Sequence, residues 1–312
     1  MKHKMHQDEL PISIKLVRQL VDQQFPQYAD LPLEQVGTSG SSNIQFRLGE
    51  NLIVRLPRQR GGSSSIEKEF KWTPIIGAQL PVAVPEFVGL GEPALGYSER
   101  WSIMRWLDGE RPMVWSLDRQ TSQNQLQLVN DLAEVILSLR RIEFPPSSLE
   151  NPQFQSYRGR SLKAYDSTMR ARIEQCRLID ELDLDFDKVL LIWEEALTLP
   201  DRVKASQAHW FHGDLVAENL LLKDGRLFVV LDFGGLGLGD PTIDLHGAWE
   251  LFNRQARQAF RVAIGAGEAE WLRGRAWALA VAIMTFPYYW RSLPRRVNDR
   301  LAMVRSALEE VD

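Results

Sequence analysis

The stretch that decides the fold is FHGDLVAEN at residues 211–219, which is followed after a short hairpin by DFG at residues 232–234. Asp214 and Asn219 stand five positions apart in the first piece, and Asp232 opens the second. At about one in twenty per fixed position, HGD, a correctly spaced Asn and a nearby DFG coincide by chance in roughly one sequence in 10⁵. The three residues are therefore treated as one constellation.

This constellation has the composition that phosphoryl transfer from a nucleotide requires. That reaction needs a carboxylate to orient the attacking hydroxyl and accept its proton, and two oxygen ligands that hold Mg²⁺ against the phosphates. The spacing lets one loop present the base, Asp214, at its start and a metal ligand, Asn219, at its end, while Asp232 returns after the hairpin. Each residue alone would suit a cap or a turn. His212 is predicted to be a buried, hydrogen-bonded residue that shapes the loop.

Gly213 gives the loop the form HGD where protein kinases carry HRD, and in this the sequence resembles the aminoglycoside phosphotransferase family. GDPTIDL at residues 239–245 is similar to a second element of that family, and the motif-bearing segments run from about residue 36 to residue 249. The resemblance implies an α+β, two-lobed, protein-kinase-like fold with nucleotide between the lobes. It also implies that Asp214 is the catalytic base and that Asn219 and Asp232 bind magnesium.

The apolar pattern predicts a boundary between an N-terminal nucleotide-binding lobe, residues 1–107, and a mainly helical lobe, residues 108–312. The first lobe is predicted to have helices at residues 12–25 and 66–79 and strands at 33–38, 43–48, 52–56, 86–89 and 101–106. The second is predicted to have helices at residues 123–140, 162–179, 188–197 and 276–287, the last one buried, and a hairpin of residues 220–222 and 227–231.

The resemblance also indicates nucleotide-binding residues in the first lobe. The loop GTSGSSN at residues 37–43 offers small residues and backbone N–H groups that could close over phosphates, with Ser39, Ser41 and Asn43 as candidates. An ordinary hairpin turn is the alternative. The segment around Met104 and Trp106 resembles the interlobe linker whose backbone hydrogen-bonds the purine, with a plain strand end as the alternative.

A cation on the third strand should grip the nucleotide phosphates, fixed by a carboxylate on the following helix. Arg55 occupies this position where the family carries Lys, which resembles the macrolide phosphotransferases, and Arg58 is the fallback. An Arg presents a planar fork where Lys presents a point charge. Glu69 is the predicted partner, and Glu67 is the alternative.

Composition narrows the partners and the compartment. The chain has 44% hydrophobic and 25% charged residues and a formal net charge of -4, which predicts an ordinary globular protein without the basic surface that nucleic acid requires. The single cysteine, Cys176, excludes an internal disulfide framework. No apolar run reaches the roughly 18 residues of a membrane span, and the polar N-terminus does not resemble an export signal, so a cytoplasmic monomer or homodimer is expected.

The sequence thus predicts a kinase that transfers the γ-phosphoryl group of ATP or GTP, with Mg²⁺, to a hydroxyl of an aminoglycoside- or macrolide-like small molecule, with antibiotic resistance as the associated role. A metabolic kinase for choline, homoserine or a sugar-like alcohol is one alternative, and a non-catalytic nucleotide-binding regulator is another. An acidic run, DELDLDFD at residues 180–187, could attract a cationic acceptor, but a solvated face is favoured. Asp240 and Asp244 are predicted to organise loop and helix ends, and Asp244 suits a helix N-terminus electrostatically.

Overall fold

The computed structural model describes residues 8–37, 41–115, 125–155, 157–200 and 208–309. These residues divide into two units. The first unit comprises the described residues up to Ala78, Ala83–Asp108 and Asp232–Gly234, and the second comprises Gln79–Val82, Gly109–Leu231 and the described residues from Gly235 onward. The DFG segment is therefore grouped with the sheet-bearing unit, although it lies far along the chain.

The first unit is an antiparallel sheet with two helices. Its elements are α1 (Ile14–Gln24), β1 (Leu33–Gln35), β2 (Asn43–Leu48), β3 (Leu52–Pro57), α2 (Ser63–Gly77), β4 (Phe87–Gly91) and β5 (Trp101–Arg105). The sheet order is β1-β2-β3-β5-β4, and every neighbouring pair is antiparallel. The α+β class predicted from the sequence is confirmed by this sheet and by the helical second unit.

Two predicted boundaries in this unit were wrong by three residues, and the others differ by at most two. β1 ends at Gln35 rather than at residue 38, although the Val36 N–H still donates to the Gln45 carbonyl oxygen at 3.0 Å. α2 begins at Ser63, three residues before the predicted start. The Glu99 carboxylate accepts hydrogen bonds from the Ser63 N–H (2.9 Å) and hydroxyl (2.7 Å), so a residue distant in sequence fixes the first turn.

β3 is buried along its whole length, and its alternating side chains face two different layers. Leu52, Val54 and Leu56 belong to the apolar cluster that α1 covers with Val17, Leu20 and Val21. Arg55 points to the opposite face, where it meets α2. Strand periodicity therefore directs this one charged residue of β3 toward the helix that carries its partner.

The second unit is mainly helical. Its helices are α3 (Gln125–Arg141), α4 (Leu162–Arg177), α5 (Phe186–Leu197), α6 (Ala248–Leu251), α7 (Arg254–Ile264), α8 (Glu268–Tyr289) and α9 (Pro294–Leu308). Its strands are β6 (His209–Phe211), β7 (Leu220–Lys223), β8 (Arg226–Val230) and β9 (Gly237–Gly239), paired as β6 with β9 and β7 with β8. The sequence patterns predicted α3, α4, α5 and the β7–β8 hairpin to within a few residues, although the predicted start of α3 at residue 123 lies outside the described residues. They did not predict α6, α7, α9 or the β6–β9 pair.

α8 is the interior helix of this unit. Its side chains from Ala276 to Ile283 are buried on every side, and it packs against α4, α5, α9 and the 3₁₀ turn Pro241–Leu245. The buried helix predicted at residues 276–287 lies in the C-terminal part of α8. Within the described part of the chain, no helix is both long and apolar enough to cross a membrane.

The β7–β8 hairpin is anchored to α3 through Asp131. This carboxylate accepts hydrogen bonds from the Arg226 guanidinium (2.8 Å) and from the Leu227 N–H (3.0 Å). At the open end of the hairpin, the Leu231 N–H donates to the Asn219 carbonyl oxygen at 2.8 Å. The hairpin thus fixes the end of the FHGDLVAEN segment against the residue that precedes DFG.

The packing of the sheet yields a stability prediction. A methyl group added at Gly91 would lie 2.0 Å from Cε2 of the fully buried Trp101, whereas one added at Gly37 would meet no atom within 4 Å. We expect Gly91→Ala to lower the free energy of unfolding by about 1–3 kcal/mol, because the core must shift to accept it. Gly37→Ala should stay within about 0.5 kcal/mol of the wild type. Urea unfolding followed by tryptophan fluorescence measures both, and equal costs would contradict the close approach of Gly91 to Trp101.

Candidate active site

The backbone of the HGD loop is held by one buried carboxylate. Asp244 accepts hydrogen bonds from the His212 N–H at 2.9 Å and from the Gly213 N–H at 2.6 Å. His212 is fully buried: its Nε2 is 2.9 Å from the Leu231 carbonyl oxygen, and its Nδ1 accepts from the Asp214 N–H at 3.2 Å. These bonds assign the proton to Nε2, and they confirm the predicted loop-shaping role of His212.

Asp240 and Asp244 both organise structure, as predicted, but Asp244 does so in a different place. Asp240 caps the 3₁₀ turn Pro241–Leu245 by accepting from the Thr242 N–H at 3.0 Å. Asp244 was expected at a helix N-terminus, whereas it binds the HGD backbone. The local sequence pattern predicts the turn in which Asp244 lies. It does not predict that the Asp244 side chain contacts the HGD loop, 31 residues earlier.

Gly213 is required by the loop conformation. Its φ angle is +84°, in the left-handed region that side chains rarely adopt. An added Cβ would also lie 3.0 Å from the Gly235 carbonyl oxygen. The local backbone conformation therefore explains why this chain has glycine in HGD at the position where protein kinases carry arginine in HRD.

The Asp214 carboxylate is held at both oxygens. Oδ1 lies 2.9 Å from Nη1 of Arg158, and Oδ2 accepts from Nδ2 of Asn219 at 2.9 Å. Burial raises the pKa of Asp214, but Arg158, Arg300 and two histidines outweigh it, so the net pKa lies well below the ordinary value. The side chain is 22% exposed. Asp214 is thus an ionised, oriented acceptor that solvent can reach.

Asn219 and Asp232 have the donor chemistry that magnesium requires. Asn219 donates through Nδ2 to both the carbonyl oxygen and the carboxylate of Asp214, so its amide oxygen is the remaining acceptor. Asp232 adopts a left-handed φ of +58°, and its Oδ1 accepts from the Gly234 N–H at 3.2 Å. Amide and carboxylate oxygens are hard ligands of the kind Mg²⁺ prefers. The described residues contain no group of three His, Cys, Asp or Glu that would form a protein-only metal site.

A charged network holds the middle of the loop. Glu218 accepts from Arg296 Nη2 at 2.8 Å and from Arg300 Nη2 at 2.9 Å, both on α9. Arg300 also pairs with the fully buried Glu250 of α6, whose Oε1 accepts from the Ala217 N–H at 2.7 Å. The segment between Asp214 and Asn219 is therefore fixed by two helices from the last quarter of the chain.

In the first unit, the predicted pair of Arg55 and Glu69 is present and almost completely buried. Nη1 of Arg55 lies 2.9 Å from Glu69 Oε2, Nη2 lies 3.4 Å from Oε1, and the side chains are 5% and 1% exposed. Burial lowers the pKa of Arg55, but Glu69 and Asp232 outweigh it and the net pKa is raised. The guanidinium is therefore a permanent charge held in a fork geometry.

Lys68 is a second buried cation in this region. It is 8% exposed, and burial lowers its pKa, an effect that Glu69 and Asp232 partly offset. Two cations and two carboxylates thus share one region of the first unit. Such a concentration of charge is typical of a site that binds a charged ligand.

The other first-lobe predictions have mixed outcomes. Arg58 contacts Glu9 at 3.5 Å and Glu67 contacts Arg100 at 3.1 Å, so neither alternative forms the β3–α2 pair. Trp106 belongs to the segment that resembles the purine-binding linker. Its backbone N–H donates to the Asn51 carbonyl oxygen at 2.8 Å, so this donor is engaged within the first unit.

The remaining candidates are placed as follows. Met104 lies in β5 with its sulfur 3.8 Å from Arg55 Nη1, and Asn43 is buried at the start of β2. Ser41 is half-buried just before that strand. Ser39 lies outside the described residues. The contribution of these residues to nucleotide binding stays a prediction.

The sequence reasoning missed five charged residues that the structure brings to these two sites. They are Lys68, Arg158, Glu218, Glu250 and Arg300. Lys68 and Glu218 could have been suspected because each adjoins or lies within a motif already identified. The other three are far from Asp214 in sequence, without a local pattern that relates them to it.

Three solved structures that are similar to this chain are phosphotransferases. The GDP complex of wild-type aminoglycoside 2'-phosphotransferase-IIIa has a TM-score of 0.74 and 17% identity, covering 96% of this chain and 99% of that chain. Macrolide 2'-phosphotransferase type I has a TM-score of 0.63 and 16% identity, covering 92% and 94%. The streptomycin–ATP ternary complex of APH(2″)-IIa has a TM-score of 0.61 and 18% identity, covering 96% and 98%. At such identities the likeness establishes the fold.

The family follows from the sequence itself. The model of the phosphotransferase enzyme family, APH, matches residues 34–277, which is more than half of the chain. No curated protein sequence matches the chain. The chain therefore belongs to the APH phosphotransferase family, and it is a small-molecule kinase that acts on a hydroxyl group.

The buried Arg55–Glu69 pair can be tested by a double-mutant cycle. Arg55→Met should lower the free energy of unfolding by about 3–5 kcal/mol, because it leaves the Glu69 carboxylate buried without its counterion. Arg55→Met combined with Glu69→Leu should recover most of this loss. Arg141→Met, which breaks an exposed pair with Glu134, should cost less than about 1 kcal/mol in urea unfolding. A double variant as unstable as Arg55→Met would contradict the coupling.

Glu250 predicts a pH dependence of stability. Burial raises its pKa to about 7, and Arg300 only partly opposes this. The pKa of Glu250 is higher in the folded protein than in the unfolded chain, so protonated Glu250 favours folding. This contribution to the free energy of unfolding is complete below about pH 4.5 and is lost as the pH rises through 7. Between about pH 5 and pH 8, the wild type should lose about 2 kcal/mol relative to Glu250→Gln in urea unfolding. A pH-independent difference between the two proteins would show that Glu250 ionises normally.

Proposed function

We propose that this kinase transfers the γ-phosphoryl group of ATP or GTP to a hydroxyl group of a small molecule, with Asp214 as the catalytic base. The observation that carries the proposal is the state of Asp214, which is ionised, partly exposed and oriented by Arg158 and Asn219. A carboxylate in this state can align a hydroxyl and take its proton as the new bond forms.

In the proposed reaction, Asp214, Arg55 and Glu69 have different roles. The acceptor oxygen attacks the γ-phosphorus while its proton passes to Asp214, and the bond from the γ-phosphorus to the bridging oxygen breaks, so that the nucleoside diphosphate leaves. Arg55 steadies the donor phosphates, and Glu69 fixes the orientation of Arg55. Among the described residues, no acceptor reaches the buried Nε of Arg55, as is typical of a group that serves an anionic ligand.

Asn219 and Asp232 are the proposed ligands of magnesium. Their amide and carboxylate oxygens would hold the ion, and when bound it would neutralise charge that develops on the phosphates. The hydrogen bonds to Asp214 and from Gly234 orient these two side chains before any ion arrives. Such pre-orientation lowers the entropic cost of binding.

The similar solved structures limit the candidates for the phosphate donor and for the acceptor. These include complexes with GDP and with ATP, so both purine nucleotides are candidates for the donor. Aminoglycosides and macrolides are candidate acceptors, because the neighbours are phosphotransferases named for them. Choline, homoserine and sugar-like alcohols are the alternative acceptors, since one fold serves many substrates.

Acceptor-dependent release of nucleoside diphosphate tests the proposal. ATP and GTP are offered separately with magnesium, and the acceptors are kanamycin, erythromycin, choline, homoserine and glucose. Asp214→Asn should lower kcat by about 10²–10⁴-fold, because the proton acceptor is lost, while nucleotide affinity changes little. The matched control is Asp224→Asn in the exposed β7–β8 turn, where φ is +52° and Asn is well tolerated. Turnover that survives Asp214→Asn would refute the assignment.

A further inference from the structure

His246 is a fully buried histidine beside the HGD loop, and the proposed reaction gives it no role. It directly follows the GDPTIDL element, and the next residue, Gly247, packs on the loop. A Cβ added at Gly247 would lie 1.9 Å from the carbonyl oxygen of Leu215, the residue after Asp214. The backbone that carries His246 therefore runs in direct contact with the backbone that carries Asp214.

The hydrogen bond of the His246 ring fixes its tautomer. Nδ1 is bonded to the Ile243 carbonyl oxygen, which can only accept, so Nδ1 carries the proton and Nε2 presents a lone pair. Burial lowers the pKa of the ring to about 4, although Asp214 and the Ile243 carbonyl oppose this effect. The imidazole is therefore neutral at physiological pH, and Nε2 is a hydrogen-bond acceptor.

Two buried nitrogens near the loop, Nε2 of His246 and Nε of Arg300, share one property. Within the part of the chain that the structure describes, no donor reaches Nε2 and no acceptor reaches Nε. The terminal nitrogens of Arg300, in contrast, pair with Glu218 and Glu250. Native proteins satisfy nearly all buried polar atoms with side chains, backbone or ordered water, because an unsatisfied one is destabilising.

Asp214 lies within the electrostatic reach of both groups. His246 and Arg300 each lower the pKa of the Asp214 carboxyl. Arg300 is also tied to the loop itself, since it pairs with Glu250, whose carboxylate accepts from the Ala217 N–H at 2.7 Å. An ionised carboxylate offers about four lone-pair sites, more than the two side-chain bonds to Asp214 described above occupy.

A single water molecule has the hydrogen-bonding capacity that these three groups require. Nε2 of His246 and the Asp214 carboxylate are acceptors for its two hydrogens, and Nε of Arg300 is a donor to its oxygen. A total of about three hydrogen bonds is typical of a buried water. A substrate hydroxyl would not take this place, because the His246 ring is closed off from solvent.

We propose that one buried water molecule bridges His246, Arg300 and Asp214, and that His246 acts through this water as a positioning residue for the carboxylate. The proposal rests on the proposed function, in which Asp214 aligns the acceptor hydroxyl and takes its proton. The water fixes the plane of the carboxylate while the acceptor binds. The transferred proton stays on Asp214, and His246 remains neutral throughout.

A crystal structure of the wild-type protein, at a resolution that shows ordered water, tests the site without any need for turnover. We expect a water oxygen at about 2.7–3.2 Å from Nε2 of His246, from Nε of Arg300 and from one carboxylate oxygen of Asp214. A side chain that donates directly to Nε2, or a site without a water in contact with Asp214, would overturn the proposal.

Two variants of His246 separate positioning through the water from a purely structural role. His246→Asn keeps a donor for the Ile243 carbonyl at the Nδ1 position but has no acceptor at the Nε2 position, whereas His246→Gln places its amide oxygen near the Nε2 position. We expect His246→Asn to lower kcat about 10-fold or more with KM for the nucleotide unchanged, because the carboxylate is misaligned. His246→Gln should stay within about 3-fold of the wild type.

The order of the two variants decides the outcome. If His246→Asn is active and His246→Gln is impaired, only the bond to Ile243 matters. If both change kcat equally, or neither does, His246 serves the fold alone. Each of these results overturns the positioning role, even where the water is present.

His209 supplies the matched control. Its Nδ1 lies 2.8 Å from the Arg140 carbonyl oxygen, but its ring is half-buried and belongs to β6. His209→Asn should leave kcat unchanged, and urea unfolding verifies that each variant is folded.

The two levels of proposal fail in different ways. If no acceptor gives release of nucleoside diphosphate that depends on Asp214, the kinase mechanism fails, and the crystal structure still decides whether the water site exists. If Asp214-dependent release is observed but the water or the difference between the variants is absent, the kinase function stands and the role of His246 is wrong.

Discussion

The geometry of the HGD loop depends on one buried carboxylate, that of Asp244. Its two oxygens accept the N–H groups of His212 and Gly213, and this fixes the backbone from which Asp214 projects. His212 then links the loop to Leu231, next to DFG. In this conformation Gly213 has a positive φ angle. Asp244 belongs to the GDPTIDL element, which packs against the interior helix α8, so the backbone before Asp214, the proposed catalytic base, is anchored to the helical core.

The charged residues that the proposal assigns to phosphoryl transfer belong to two compact units of the chain. The sheet-bearing unit holds Arg55, Lys68, Glu69 and Asp232, in which a buried ion pair keeps a cation in a fixed orientation. The helical unit holds Asp214 and Asn219, together with the arginines that balance them. A buried charge is tolerated only when it is paired or hydrogen-bonded, and both sets meet this condition through partners from distant elements.

Sequence reasoning was successful where the determinant is local. The HGD loop, DFG and most helices could be predicted, because motif spacing and periodicity encode them within a short window. The Arg55–Glu69 pair was predicted from the family resemblance. It failed where the determinant is tertiary. The start of α2 depends on Glu99, the β6–β9 pair joins short strands that lack a pattern of their own, and Arg158 and Arg300 reach the loop from segments with no motif. Such contacts become visible only once the chain is folded.

The measurement that tests the central claim most directly follows the γ-phosphorus itself. Nucleotide labelled at the γ-phosphorus is incubated with magnesium and each acceptor, and the labelled product is isolated and its phosphorylated position determined by NMR. The account predicts a phosphate ester on an acceptor hydroxyl, formed by the wild type and not by Asp214→Asn. Label that emerges only as inorganic phosphate, or an ester formed equally by Asp214→Asn, would contradict the assignment of this chain as a hydroxyl kinase with Asp214 as its base.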